Sequence, residues 1–243
     1  MYLSRIEINR HRRETVRALA SPGILHAAVE ACFPAADEAE LRKLWRLDSA
    51  GNALYLLLQS EIKPDFTHII EQFGRAGQAW ETKEYDGFLS RLQNDQVWDF
   101  RLLANPTHSV STGKSARGKI VAYTSPKSQR KWLIDRAAKC GFEIVRIPPS
   151  RADLPAEARE DESPFCNDAQ STDEFLRFDV MQSKAGKFWR QGKIVTVEMA
   201  AFEGVLRITD AKMLADAMKN GIGRAKAYGC GLLTLAPQSG ASS

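Results

Sequence analysis

The apolar residues of this chain change their spacing in a definite order, and that order narrows the fold more than any other feature. In "MYLSRIEIN", Ile6 and Ile8 alternate with Arg5, Glu7 and Asn9, the period of a half-buried strand. Ser21-Pro22 then offers a helix start, with serine at the N-cap and proline in the first turn. Ile24, Leu25, Ala28, Val29 and Cys32 recur at helical spacing until Pro34 stops the run. Two apolar runs flank Asp48–Asn52 in "LWRLDSAGNALYLLLQS" (44–60), the pattern of a hairpin. A helix within 84–93 and a strand over 97–106 complete the series, which reads strand, helix, hairpin, helix, strand.

The second half repeats the theme. "KIVAYT" (119–124) is strand-like, and "SQRKWLIDRAAKCG" (128–141) predicts a helix ended by Gly141. The proline-rich, acidic stretch 147–165 reads as an exposed loop. Strands are expected at 175–181, 194–199 and 203–208. A last helix starts near Thr209 or Asp210, buries Met213, Leu214, Ala217 and Met218, and ends at Asn220-Gly221 before a strand over 230–237. The fold class expected is α+β, with two tandem ferredoxin-like (βαββαβ, RRM-like) units, 1–110 and 111–243, joined around 107–118.

Several function classes fall away on composition. No run of about 18 apolar residues is present, and the first residues lack the apolar core of a signal peptide, so a cytoplasmic protein without a membrane partner is expected. Cys32, Cys140, Cys166 and Cys230 are scattered without a CxxC pair and read as structural thiols. His11, His26, His68 and His108 form neither HxH nor HExxH, so no metal site is expected. The net charge of +4 separates little, but its distribution does. Acidic residues concentrate in 151–165, whereas "SKAGKFWRQGK" (183–193) carries Lys184, Lys187, Arg190 and Lys193 and no acid. A segment of that kind suits a polyanion. His11, with Arg10, Arg12 and Arg13, makes a second basic cluster, read as a solvated turn.

"GIGRAKAYGCG" sharpens the choice of anion, since it holds Gly221, Gly223, Gly229 and Gly231 together with Arg224 and Lys226. Rossmann and P-loop glycines run from a strand into a helix, so that the helix N-terminus faces phosphate. Here the glycines leave a helix and enter a strand, which places the wrong dipole end at the loop. No GxxxxGK[ST] is present either, so mononucleotide and dinucleotide binding in those manners is excluded.

The glycine-rich "GIGRAKAYGCGLLTL" at the end of such a tandem resembles the CRISPR precursor-RNA processing endoribonucleases, and among them the CasE family of the type I-E Cascade complex. "MYLSRIEI" at the start, "HAAVEACFP" (26–34), "RLLANPT" (101–107) and "GKIVTVEMAAFEGVLRITD" (192–210) carry the same resemblance along the whole chain. It implies metal-independent cleavage of CRISPR repeat RNA at the base of its stem-loop, with no cofactor. It also implies that the enzyme stays on the mature guide RNA with the other Cascade subunits. RNA supplies its own nucleophile, the 2′-OH, so the protein needs only proton transfer and cations for the phosphorane.

His26 matches the catalytic histidine of the family, and imidazole, with an ordinary pKa near 6.5, suits proton transfer. Glu30, four residues on, could steady the charged ring or be an ordinary surface pair. Some relatives carry tyrosine three residues before the histidine, where this chain has Gly23, so either a cation of "STGKSARGK" (Lys114, Arg117 or Lys119) assists or the 2′-OH is aligned chiefly by RNA geometry. By the same resemblance Lys184, Lys187, Arg190 and Lys193 form a hairpin on the RNA stem. Gly221, Gly223, Gly229 and Gly231 let backbone approach RNA while Arg224 and Lys226 meet phosphate. A different class, a non-catalytic RNA-binding subunit, fits the same fold, although the RNP1 pattern of RRMs is not evident.

Overall fold

The computed structural model describes residues 1–33, 42–111, 113, 118–146, 175–190 and 193–238. Its first half runs β1 (Tyr2–Ile8), α1 (Arg13–Ala20), α2 (Pro22–Glu30), β2 (Leu44–Ala50), β3 (Ala53–Ser60), α3 (Thr67–Phe73) and β4 (Glu81–Glu84). The strands pair antiparallel in the order β2-β3-β1-β4. Ile6 and Ile8 of β1 and Leu54, Leu56 and Leu58 of β3 point into one apolar core with Leu25, Ala28, Val29 and Cys32 of the α2 segment, as their periods demand.

A short α4 (Asp86–Leu89) leads to β5 (Val97–Ala104), β6 (Thr107–Val110), β7 (Lys119–Ala122), α5 (Pro126–Ala137) and β8 (Phe142–Ile144). Then follow β9 (Phe178–Arg190), β10 (Lys193–Ile208), α6 (Ala211–Asn220) and β11 (Leu233–Ala236). The second sheet is ordered β11-β5-β10-β8, with β9 paired along β10, while β6 and β7 form a separate hairpin. Numbering the four frame strands of each half in turn, both sheets show the order 4-1-3-2 with a helical segment after the first and third strands. That is the ferredoxin-like topology twice over.

The chain passes from the first sheet to the second earlier than the expected 107–118. The strand read at 97–106 does not close the first unit; β5 pairs with β10 and β11 and opens the second. The first sheet is closed instead by β4, whose "ETKE" is polar on both faces and has no apolar alternation to read. It is an edge strand, where charge discourages pairing with other chains. The helix expected within 84–93 is only α4, and the second helix of the unit is α3. "KIVAYT" is not a frame strand but β7 of the small hairpin. The strands expected at 194–199 and 203–208 are one strand, β10, whose register against β9 shifts between Ala201 and Phe202. That irregularity lets a long hairpin bend away from the sheet.

Both late helices have their expected ends. Asp210 caps α6 by accepting the Met213 N–H, and Gly141, at φ 75°, turns the chain after α5 in the left-handed region. Within α6, Leu214 and Met218 are buried, but Met213 is exposed, contrary to the helical reading.

A buried arginine joins the two sheets. Arg46 of β2 is 2% exposed, and all five of its N–H groups are used. Two go to the Asp48 carboxylate at 2.7 and 2.8 Å, and the others to Arg101 O, Leu232 O and Thr234 Oγ1 across the boundary. Asp48 also lies 3.5 Å from Arg101 Nε, which pairs with Glu203 at 2.9 Å. Nearby, Gln59 of β3 donates to Met218 O at the end of α6.

Candidate active site

His26 sits on α2 beside the apolar stripe, with its side chain 36% exposed. Ser21 precedes Pro22 at the helix start as expected, though its side chain makes no cap bond. The Glu30 carboxylate lies 3.7 Å from His26 Nδ1 and holds Lys43 Nζ at 2.6 Å. Lys43 is itself largely covered and lies 5.0 Å from the centre of the Phe33 ring. Glu30 therefore links the imidazole to a fixed ammonium, an arrangement that can steady a protonated ring.

The glycine loop closes over this histidine. After α6, Gly221, Gly223, Ala225, Gly229 and Gly231 all have φ between 59° and 94°. The left-handed turns carry a short 3-10 segment, Lys226–Tyr228, onto α2 and β2. The Tyr228 ring meets the His26 ring edge-on, with centroids 6.2 Å apart and planes at 70°. Ala225 is the only non-glycine in the loop at positive φ, a cost that persists only where the surroundings fix the conformation. Neither Tyr228 nor Lys43 is marked by local spacing. The one available signal for Tyr228 is an aromatic side chain inside a run of glycines.

Close approach explains the glycines, but the partner is the protein. A Cβ at Gly229 would lie 2.9 Å from the Trp45 ring, and one at Gly221 would lie 2.6 Å from Leu44 Cδ2. The corresponding neighbours of Gly223 and Gly231 are Trp132 and the Ile222 backbone. The expectation that these missing side chains make room for RNA is thus replaced by a packing demand. Gly229→Val should lower stability by about 2 kcal/mol or more, from positive-φ strain and overpacking together. Urea unfolding beside RNA binding checks this: a variant of full stability that binds RNA poorly would return the close approach to the ligand.

Cations gather on the same side. Arg224 is exposed, and Lys226 is half-buried with Nζ 2.6 Å from Asn220 O. Burial, and then the charge of Arg42, hold the Lys226 ammonium below the usual lysine pKa. β9, the first strand of the basic hairpin, passes close to α2. Lys184, Lys187 and Arg190 lie on β9 and Lys193 on β10, with Lys193 opposite Arg190 and Lys187 opposite Thr196. The placement of these four side chains, like Lys114 and Arg117 as a whole, lies outside the described residues. Lys119 is exposed at the start of β7.

The described thiols are poorly suited to nucleophilic chemistry. Burial pushes the Cys32 thiol up to about 12, with the charges of Asp65 and Glu30 adding to it, and burial does the same to Cys230. Cys140 is raised as well, and Cys166 lies outside the described residues. Among the described residues, no group of three or more His, Cys, Asp or Glu is gathered as a metal ion would require. No helix among them is long and apolar enough to cross a membrane. His68 is turned inward, its Nε2 2.7 Å from Ala28 O, and His11 is exposed.

Comparisons with known proteins point to one family. The family described as CRISPR associated protein matches residues 1–237. The chain is 30% identical over 240 residues to the CRISPR-associated endoribonuclease Cse3 of Thermus thermophilus, covering 98% of this chain and 100% of that one. It is 58% identical over 48 residues to the CRISPR system Cascade subunit CasE of Escherichia coli, a stretch that is 20% of this chain and 23% of that one. A solved structure of CRISPR endoribonuclease Cse3 bound to 19 nt RNA shares the fold with a TM-score of 0.73 and 25% identity, covering 98% of this chain and 100% of that chain.

Proposed function

Because the chain belongs to the CRISPR associated protein family, we infer that it is an endoribonuclease that processes CRISPR precursor RNA and works with the other subunits of a Cascade complex. Its place of work on this reading is the cytoplasm, where the precursor is transcribed. The observation that carries the assignment at the level of residues is the meeting of His26 with Tyr228. An imidazole, a side chain chemically able to transfer protons, there lies against the loop that carries Arg224 and Lys226, which supports this reading.

The reaction proposed is attack by the ribose 2′-OH on the adjacent phosphorus. The new P–O2′ bond forms as the P–O5′ bond breaks, leaving a 2′,3′-cyclic phosphate and a 5′-OH. One proton leaves the 2′ oxygen and one reaches the departing 5′ oxygen; His26 performs one of these transfers, steadied by Glu30 and Lys43. Arg224 and Lys226 offset charge on the phosphorane, and Lys114 is a further cation for that role. The hairpin cations Lys184, Lys187, Arg190 and Lys193, with Arg117 and Lys119, hold phosphates of the stem, while the glycines shape the loop that carries the cations.

Cleavage of the cognate repeat RNA should survive EDTA and give a 5′-OH and a cyclic phosphate. Hydrogen in place of the 2′-OH at the scissile nucleotide should abolish cutting and spare binding. A 5′-phosphate product would refute 2′-OH attack. Tight binding without any cutting would make the chain a non-catalytic RNA-binding subunit.

A further inference from the structure

His108, which the mechanism leaves unused, lines a second polar cleft on the far side of the glycine loop. The cleft has a volume of about 570 Å³ and lies between the β6–β7 hairpin, α5 and the loop. Thr107, His108 and Ser109 form one wall, and Arg136, Arg224 and Lys226 stand across from them. Among the described residues, none of these three cations is ion-paired with a carboxylate. The Arg136 guanidinium lies 5.5 Å from the centre of the Trp132 ring, which leaves its N–H groups for another acceptor. Three cations without a carboxylate partner around one cleft, one of them partly buried beside Arg42, make a site suited to an anion.

The opposite wall adds a flat surface. The His108 imidazole is stacked on Tyr123, with centroids 4.4 Å apart and planes at 24°. A ring backed in this way is a rigid platform for a base. The space suits a nucleotide and is too small for a duplex. Its position is also informative, because Lys226 lines this cleft while Tyr228, in the same 3-10 turn, touches His26.

We propose that this cleft holds an unpaired nucleotide of the single-stranded RNA that adjoins the stem-loop, with Arg136 on its phosphate, Arg224 and Lys226 between it and the scissile phosphate, and His108 against its base. The proposal rests on the endoribonuclease reading and extends it: the stem is held on the hairpin side, and the strand leaving the cut is led past Lys226 toward α5. The protein then distinguishes a stem-loop within a longer transcript from an isolated one.

The test compares two forms of the cognate repeat RNA, each with a 2′-deoxy scissile nucleotide: the stem-loop alone and the stem-loop with its single-stranded flanks. Wild-type protein should bind the flanked form more tightly. Arg136→Gln, at a residue the cleavage step does not use, should weaken the flanked form about tenfold, the scale of one lost charge-assisted contact, and leave the bare stem-loop unchanged. The salt slope for flanked RNA should fall by about 0.7 for each single-strand phosphate contact removed. Arg136→Lys, which keeps the charge, should keep the preference and serves as the folding control. Equal loss on both RNAs, or a wild-type protein indifferent to the flanks, would overturn the proposal while leaving the endoribonuclease reading intact. A wild-type protein that neither binds nor cuts the repeat would overturn both.

Discussion

His26→Ala is expected to slow single-turnover cleavage of the repeat RNA by about 10²-fold or more, the usual scale for losing a general acid or base. RNA affinity should change little, because the proposed phosphate contacts are those of the loop and hairpin cations, and one imidazole at a helix edge adds few. The fold should also survive, since the side chain is 36% exposed and packs into neither core. Saturating RNA with a quench-flow readout separates the step from binding. A variant that cuts at the wild-type rate would remove His26 from the mechanism, and Tyr228 would then be the next group to consider. A variant that binds poorly but cuts normally once bound would make His26 an RNA contact.

How much of this was legible in the sequence follows from where the information sits. Period-2 and period-3.6 patterns are local, so β1, the α2 stripe, the β2–β3 hairpin, α5 and the ends of α6 could all be read directly. Partner choice between strands is not local. β5 buries Phe100, Leu102 and Ala104 on one face, a pattern that would serve either sheet equally well. Its assignment to the second sheet depends on β10 and β11, far along the chain. β4 carries almost no pattern, because an exposed edge strand has no buried face to encode.

The site divides in the same way. His26 was reachable only through resemblance, since a lone helix-edge histidine has no motif. Glu30 was reachable through its i+4 spacing. Tyr228 and Lys43 come to the histidine through tertiary packing, and nothing near either residue announces it. The glycines could be recognised as a close-approach signal, but the sequence does not say what approaches. Trp45 and Leu44 occupy that place, and they precede the loop by most of the chain.

Arg46→Met should cost about 3–5 kcal/mol of unfolding free energy, the range for breaking a buried ion pair by removing one partner. In a chain of 243 residues this is a fall of roughly 6–20 °C in Tm. The physical reason is that the guanidinium satisfies five acceptor positions at once, on Asp48, Arg101, Leu232 and Thr234, and methionine satisfies none. The Asp48 carboxylate, 15% exposed, would keep only the longer contact to Arg101. Adding Asp48→Asn to Arg46→Met should therefore cost less than the two single losses together, because the stranded carboxylate is gone. The effect reaches the active site through connectivity. Leu232 follows Gly231 directly, and Trp45, the residue before Arg46, lies under Gly229. Loosening Arg46 loosens the seat of the turn that holds Tyr228 against His26, so cleavage should fall further than RNA affinity at temperatures where the variant is still folded. Urea unfolding measured beside single-turnover cleavage tests both parts. An unchanged unfolding midpoint would mean that the two sheets hold together through their apolar contact alone. Lost stability with an unchanged cleavage rate would mean that the loop keeps its seat without the clamp.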